Sequence, residues 1–395
     1  MKKISSTKVL YIDTFSQNSA HEMFNASLIL MCSMIFERMD CRISSSSYSN
    51  FLKITKGVVP ENVKHEKLFV IEGESRFRLT MRYLVSTIQN IRYLAFSSKG
   101  AVIIFPFNNL FSLRIINFLN KFYRRKILIF CHSEMEGIVS SKKKGGGLHR
   151  ILTKLAQNFF LNSNIDVSEG LYFSVLGDVL KNNIKTTLDD KKAIKFISMD
   201  HPYLFESIEL KKENCNLNIA TVGSISKVKG LLNFVEFAKK IKPQVREHLK
   251  ISIIGSTHED TKLLNESGIE FSSGTNKFLS REKMGKSLSE LDYILFFYPE
   301  DSYRITASGA IMDAIYYEKP ILALRNEYFE YLFCKFGKFG YLFSNIDEMV
   351  DRVEELYSNR LVTNFNFKDL KLKFSPESIS KEFFKELNNI GFLKK

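Results

Sequence analysis

Short apolar runs alternate along this chain with longer stretches of helical spacing. VLYID (9–13), KLFVIEG (67–73), AVIIFPF (101–107), ILIFCH (127–132) and IKFISM (194–199) have the length and composition of buried strands. EMFNASLILMCSMIFERM (22–39) reads as an unusually apolar helix, and helices are expected near 111–125 and over 148–161. After residue 215 the pattern restarts, with strands at LNIATVG (217–223), KISIIG (250–255), IEFSSG (269–274), DYILFFY (292–298), ILAL (321–324) and YLF (341–343). The segment 376–390 places Phe383, Phe384 and Leu387 at helical spacing for a final helix. Strands alternating with helices predict an α/β chain with mainly parallel sheets. Its length suits two domains: residues 1–200, a linker at 201–215, a second domain at 216–375, and a tail helix at 376–395.

The stretch from Tyr303 to Leu324, YRITASGAIMDAIYYEKPILAL, narrows the chemistry furthest. An apolar strand precedes it, and Lys319-Pro320 stops a helix before the next strand. The helix therefore starts at Ser308-Gly309, where unpaired N–H groups and the positive end of the helix dipole face the sheet edge. Phosphate suits such a corner. Asp313 follows about one turn later, placed for a ribose hydroxyl. A second turn, VGSISKVKGLLNFVEFAKKI (222–241), is expected to end a strand at Val222. Gly223 would then open a tight turn, with Lys229-Gly230 leading into an amphipathic helix.

These two segments resemble the nucleotide corner of GT-B glycosyltransferases of group 1 (family 4-like), whose patterns there are SGxxxEAxxxGKPVIA and GRxxxxKG. The resemblance covers most of 215–345 and reaches the first half through topology, length and the position of His132. It implies two Rossmann-like domains facing each other across a cleft, with the tail helix crossing back to the first. It also implies a nucleotide-sugar donor, UDP- or GDP-linked, held by Gly223, Ser224, Lys229, Arg304, Ser308, Gly309 and Asp313. Lys229 falls on the family's diphosphate-binding lysine. The family's arginine after the first glycine is Ser224 here, and Arg304 offers a replacement charge. The first glutamate of the family's E-x7-E pair falls on Ile305, and Asp313 occupies the second position.

Candidate catalytic groups lie in the first half. His132 ends a strand and precedes Ser133, Glu134 and Glu136, and open α/β sheets place ligand contacts at such strand ends. His21-Glu22, after the first strand, is the other pair. An inverting enzyme needs a general base, for which Glu22, His21, His132 or Glu134 could serve; in a retaining one the departing diphosphate could take the proton. His201-Pro202 reads as a structural turn.

Charge separates the halves. Residues 1–200 carry 29 Lys/Arg against 16 Asp/Glu, a net +13, whereas residues 201–395 carry 28 against 27, a net +1. Basic segments include Arg76, Arg78 and Arg82; Lys121, Arg124, Arg125 and Lys126; and Lys142, Lys143 and Lys144. The helix at 111–126 sets Phe111, Ile115, Phe118, Leu119 and Phe122 near one face. That face is either core or a basic aromatic edge for anionic lipid.

Five scattered cysteines without a CxxC pair suit buried thiols in a reducing cytoplasm. No bilayer-length apolar run appears, and the N-terminus lacks a signal-peptide core. The expected setting is cytoplasmic, peripheral on the inner membrane face of a bacterium. Expected partners are a glycan or polyprenyl-diphosphate-linked acceptor of surface-polysaccharide assembly and the anionic membrane itself. No metal, cofactor or nucleic acid is expected: HxH and HExxH are absent, GKS (285–287) has Ser280 where a P-loop needs glycine, and no G-x-G-x-x-G or G-x-S-x-G occurs. A 2-epimerase of the same fold, a nucleic-acid-binding protein and a silent nucleotide-sugar-binding subunit are the rival readings.

Overall fold

The computed structural model describes residues 4–18, 21–73, 75–139, 147–206, 216–259, 261–274, 276, 279–300, 302–359 and 364–393. Lys142, Lys143, Lys144, Cys215 and the linker residues 207–215 lie outside the described residues. The chain divides into two compact units. The first comprises Met1–Leu204, Arg304–Ala307 and Phe374–Lys395; the second comprises Phe205–Tyr303 and Ser308–Lys373.

In the first unit, seven strands are described: β1 (Ile4–Ile12), β2 (Phe36–Ile43), β3 (Val63–Lys67), β4 (Val102–Phe105), β5 (Lys126–Phe130), β6 (Leu171–Val175) and β7 (Phe196–Ser198). They form one sheet in the order β3-β2-β1-β4-β5-β6-β7, and every pairing is parallel. All four residues of β4 are buried, as are the last four of β5, because helices cover both faces of a parallel sheet. The helix over Glu22–Ile35 is buried along most of its length. The final helix, Pro376–Asn389, packs against it and sends Ile379, Phe383 and Leu387 into the same core as Leu28, Met31 and Phe130.

The second unit holds a six-stranded sheet of β8 (Leu217–Ile225), β9 (Leu249–Thr257), β10 (Glu270–Phe271), β11 (Tyr293–Phe296), β12 (Ile321–Leu324) and β13 (Gly340–Phe343). Its order is β10-β9-β8-β11-β12-β13, again parallel throughout. Phe234 and Phe237 close over Phe297 at ring separations of 5.1 and 5.3 Å.

Several sequence expectations shift at their edges. The helix expected over 22–39 stops at Ile35, and the chain enters β2 at once. There the period changes: Phe36, Met39, Cys41 and Ile43 go inward while Glu37 and Arg38 face water. KLFVIEG contributes only Lys67 to β3, since pairing with β2 begins at Val63 and ends at Lys67. IEFSSG pairs over just two residues.

In each sheet the winding reverses at one place, between β1 and β4 and between β8 and β11. Open α/β sheets bind ligands outside the carboxyl ends of strands at such reversals.

Candidate functional site

At the first reversal, Asp13 follows β1 and its carboxylate serves the turn. It accepts N–H bonds from Phe15 (3.0 Å) and Ser16 (2.8 Å) and one from Asn25 Nδ2 (3.3 Å). That turn delivers His21 to the start of the Glu22–Ile35 helix with φ at 54°, and its side chain makes no capping bond. His21 meets His132 at a ring separation of 5.3 Å. Phe24 stands edge-on to both His132 and His201, each at 5.0 Å. Three histidines read from distant segments thus share one site. Glu22 instead lines a small cavity with Asp13, Asn25 and Asn50.

The electrostatics of this cluster are set by burial. His132 is pushed down to about 3 by enclosure in protein, helped by neighbouring His21 and His201. His201 falls to about 4 for the same first reason. Burial lowers His21 too, with Asp13 pulling the other way; its exposed edge lets water temper the shift. All three are neutral near pH 7. Nε2 of His132 lies 2.9 Å from the Pro106 carbonyl oxygen, an acceptor only. It must therefore donate, which leaves Nδ1 as a lone-pair acceptor.

Glu134 behaves oppositely to a surface acid. Both its oxygens accept the His132 N–H, at 3.0 Å each, yet burial still raises its pKa to about 7. A carboxyl poised there exchanges protons at neutral pH. Beside it Asn108 is fully enclosed, with Oδ1 lacking a hydrogen-bond partner among the described residues. Asn108 was not foreseen; its only sequence signal is the polar pair Asn108-Asn109 after an apolar strand. Glu136 was noticed only as part of an acidic run. Its two oxygens accept the N–H groups of Arg304 and Ile305, both at 3.2 Å, and Asn183 Nδ2 donates to the Arg304 carbonyl at 2.8 Å. Arg304–Ala307 accordingly groups with the first unit, apart from the other six expected donor residues. The Arg304 guanidinium makes no ion pair among the described residues.

At the second reversal, β8 continues past Val222 to Ile225, pairing with β9 throughout. The expected tight turn at Gly223 is therefore absent. Gly223, with φ at 87°, lies inside the strand opposite Gly255, and Ser224 opposite Ser256. A side chain on Gly255 would strike the Gly223 carbonyl, so the two glycines let the strands run on together. The turn comes later, as a 3-10 turn over Lys227–Lys229 that ends at Gly230. Gly230 has φ at 81°, and a Cβ there would fall on the Phe297 carbonyl. Lys229 is half-buried, which lowers its pKa. It forms no ion pair with a carboxylate among the described residues.

After β11, Ser308 is buried and its Oγ lies 2.9 Å from the Tyr298 hydroxyl, so it does not cap the Gly309–Tyr316 helix. Gly309 is exposed, and a Cβ placed on it meets nothing within 4 Å. No side chain caps the first turn, and within it the Ile311 N–H donates to the Ser308 carbonyl at 3.4 Å, which leaves Gly309 and Ala310 at the uncapped start. Asp313 is buried and accepts a 2.9 Å bond from Nη1 of Arg281, on the Arg281–Ser289 helix. A ribose hydroxyl at Asp313 would join or displace that pair. Arg281, distant in sequence, was not anticipated.

No protein-family model matches the chain, and no curated protein matches its sequence. Solved structures do. The crystal structure of TarM is 12% identical, covers all of both chains and gives a TM-score of 0.64. A mutant S. aureus TarM in complex with fondaparinux, alpha-GlcNAc-glycerol and UDP is 11% identical over 98% of this chain and 100% of that one, at 0.62. WaaG, a glycosyltransferase involved in lipopolysaccharide biosynthesis, is 11% identical over 96% and 98%, at 0.56. The chain has the GT-B fold.

Within this GT-B chain the two reversals carry unlike chemistry. The first unit offers neutral imidazoles and a carboxyl that titrates near 7; the second offers a cation and an uncapped helix start. Among the described residues, no group of three or more His, Cys, Asp or Glu is placed to hold a metal ion, and no helix is long and apolar enough to cross a membrane.

Proposed function

We propose that this chain is a glycosyltransferase that moves a sugar from a nucleoside-diphosphate sugar to a hydroxyl of a glycan or polyprenyl-diphosphate-linked glycan. The setting is bacterial surface-polysaccharide assembly at the inner face of the membrane. The observation that carries this reading is Lys229, a half-buried ammonium at the β8/β11 reversal without a carboxylate partner among the described residues. A desolvated cation calls for an anion. Ser308, held by Tyr298, leaves the N–H groups of Gly309 and Ala310 without a side-chain cap for the same diphosphate.

In the transfer, the acceptor oxygen bonds to the anomeric carbon as the bond to the diphosphate breaks. Lys229 and the helix start stabilise the charge that develops on the leaving oxygen, without a metal. Glu134 takes the proton of the acceptor hydroxyl, because its pKa near 7 lets it accept at neutral pH and release afterwards. His132, with Nδ1 free to accept, orients that hydroxyl and does not hold the proton, since burial keeps its imidazolium too acidic.

The test is incubation with labelled UDP- and GDP-sugars, with and without lipid-linked glycan acceptors. Label appearing on an acceptor, and lost in Lys229→Ala, supports transfer. An isomerised sugar nucleotide would mark an epimerase, and binding without turnover a silent subunit; either result overturns the proposal.

A further inference from the structure

Three helices of the first unit lie side by side: Arg76–Phe96 beside Leu110–Tyr123, and the latter beside Gly147–Phe160. The outward faces of the first two are apolar to a degree that water alone does not explain, while the third exposes Ile151 beside His149, Arg150 and Lys154. Phe77, Ile88 and Phe96 are 75%, 66% and 84% exposed on the first helix, and Phe118 and Phe122 are 60% and 71% exposed on the second. The spacing is regular. Phe77, Met81, Leu84 and Ile88 repeat every three or four residues, as do Phe111, Ile115, Phe118 and Phe122, so each helix presents one stripe. Phe118 and Phe122 pack edge to face at 5.4 Å and together form an exposed aromatic ridge. Exposed apolar stripes on neighbouring helices mark an interaction surface.

The charge around the stripes selects the partner. The three helices carry four, two and two Lys/Arg, and no Asp or Glu. A second copy of this chain meeting the same face would bring like charges together. A surface both apolar and anionic satisfies the stripe and its cations at once. We propose that this face docks on an anionic lipid bilayer, with the ridge of Phe118 and Phe122 inserted among the headgroups and Arg92, Arg114 and Lys121 against lipid phosphates. The proposal rests on exposure and charge alone and does not depend on the transfer reading.

Co-sedimentation of the full chain with phosphatidylcholine vesicles, with and without phosphatidylglycerol, tests it. The protein partitions onto the anionic vesicles, loses affinity as salt rises, and leaves neutral vesicles unbound. Reversing Arg92 and Lys121 to Glu weakens partitioning at least about tenfold, since each cation near such a surface is worth roughly a fivefold factor. Phe118→Ser with Phe122→Ser weakens it similarly. Both doubles keep the wild-type melting temperature and nucleotide binding, because the changed residues are exposed and lie outside the donor corner. Equal partitioning onto both vesicle types, or partitioning unaffected by both doubles, overturns the proposal. So does an absence of partitioning, with the doubles abolishing self-association or oligonucleotide binding instead.

Discussion

The two sheet reversals of this molecule occupy equivalent places in two parallel sheets, yet their side chains solve opposite problems. In the first unit, enclosure drives three titratable groups toward neutrality: His132 and His201 shed their protons and Glu134 tends to keep its own. In the second unit, Lys229 is half-buried with no carboxylate to pair it among the described residues, and the helix after Ser308 is left uncapped. The lesson is that a shared strand pattern fixes where a ligand sits, not what it is. A neutral cluster suits proton exchange with an uncharged hydroxyl, and an unpaired cation suits a diphosphate.

The largest expected effect breaks the first half of that comparison. Glu134→Gln should lower kcat by about a hundred- to ten-thousand-fold, the usual contribution of a positioned base. It should also remove the limb near pH 7 from the rate profile. Retained activity with that limb intact would move the proton to another group.

Next comes Lys229→Ala. Loss of one charged contact should weaken nucleoside-diphosphate binding about ten- to a hundredfold by calorimetry. The ligand-free protein should meanwhile melt no lower than wild type, because a desolvated unpaired cation stabilises nothing. A lower melting temperature would show that Lys229 is structural.

A glycine pair sharpens the same corner. Gly230→Ala should destabilise the fold by about 2–3 kcal/mol in denaturant titration, since φ at 81° and the Phe297 carbonyl both oppose a side chain. Gly309→Ala has open space and should keep its stability while binding diphosphate more weakly.

The smallest effects concern pH and Asp313. Groups with depressed histidine pKa values contribute stability that is present above about 6.5 and lost as pH falls toward 4 for His201 and 3 for His132. Glu134 has a raised pKa, so its contribution is present below about 4.5 and lost as pH rises through 7. His201→Gln should therefore flatten the acid side of the stability curve, and Glu134→Gln the neutral side. Asp313→Asn, which weakens a pair with Arg281, should cost about 1 kcal/mol.

Much of this was legible in the sequence where one local signal dominates. The apolar runs of β4, β5 and β11 stand out because strands buried on both faces need no alternation, and the helix start at Ser308-Gly309 follows from a strand before and a proline after. The errors occur where a partner decides. β2 hid behind the Glu22–Ile35 helix because Phe36 and Met39 continue an apolar stretch whose change of period needs β1 to reveal it. The strand through Gly223 persists because Gly255 on β9 lies opposite, a pairing that sequence order does not show. Site residues divide the same way. His132 lies just past the end of β5 and Lys229 in the turn that follows β8, so both could be named from the strand pattern. That His21, His132 and His201 converge on Phe24, that Arg281 reaches Asp313, and that Glu136 holds the backbone of Ile305 are long-range consequences of packing.

Calorimetric titration of UDP and GDP into wild type and Lys229→Ala tests the central claim most directly. A diphosphate that binds wild type, and binds Lys229→Ala about ten- to a hundredfold more weakly, is the predicted result. Failure of both nucleotides to bind wild type at millimolar concentration, or equal binding to the two proteins, would contradict the assignment of the β8/β11 reversal as the donor site.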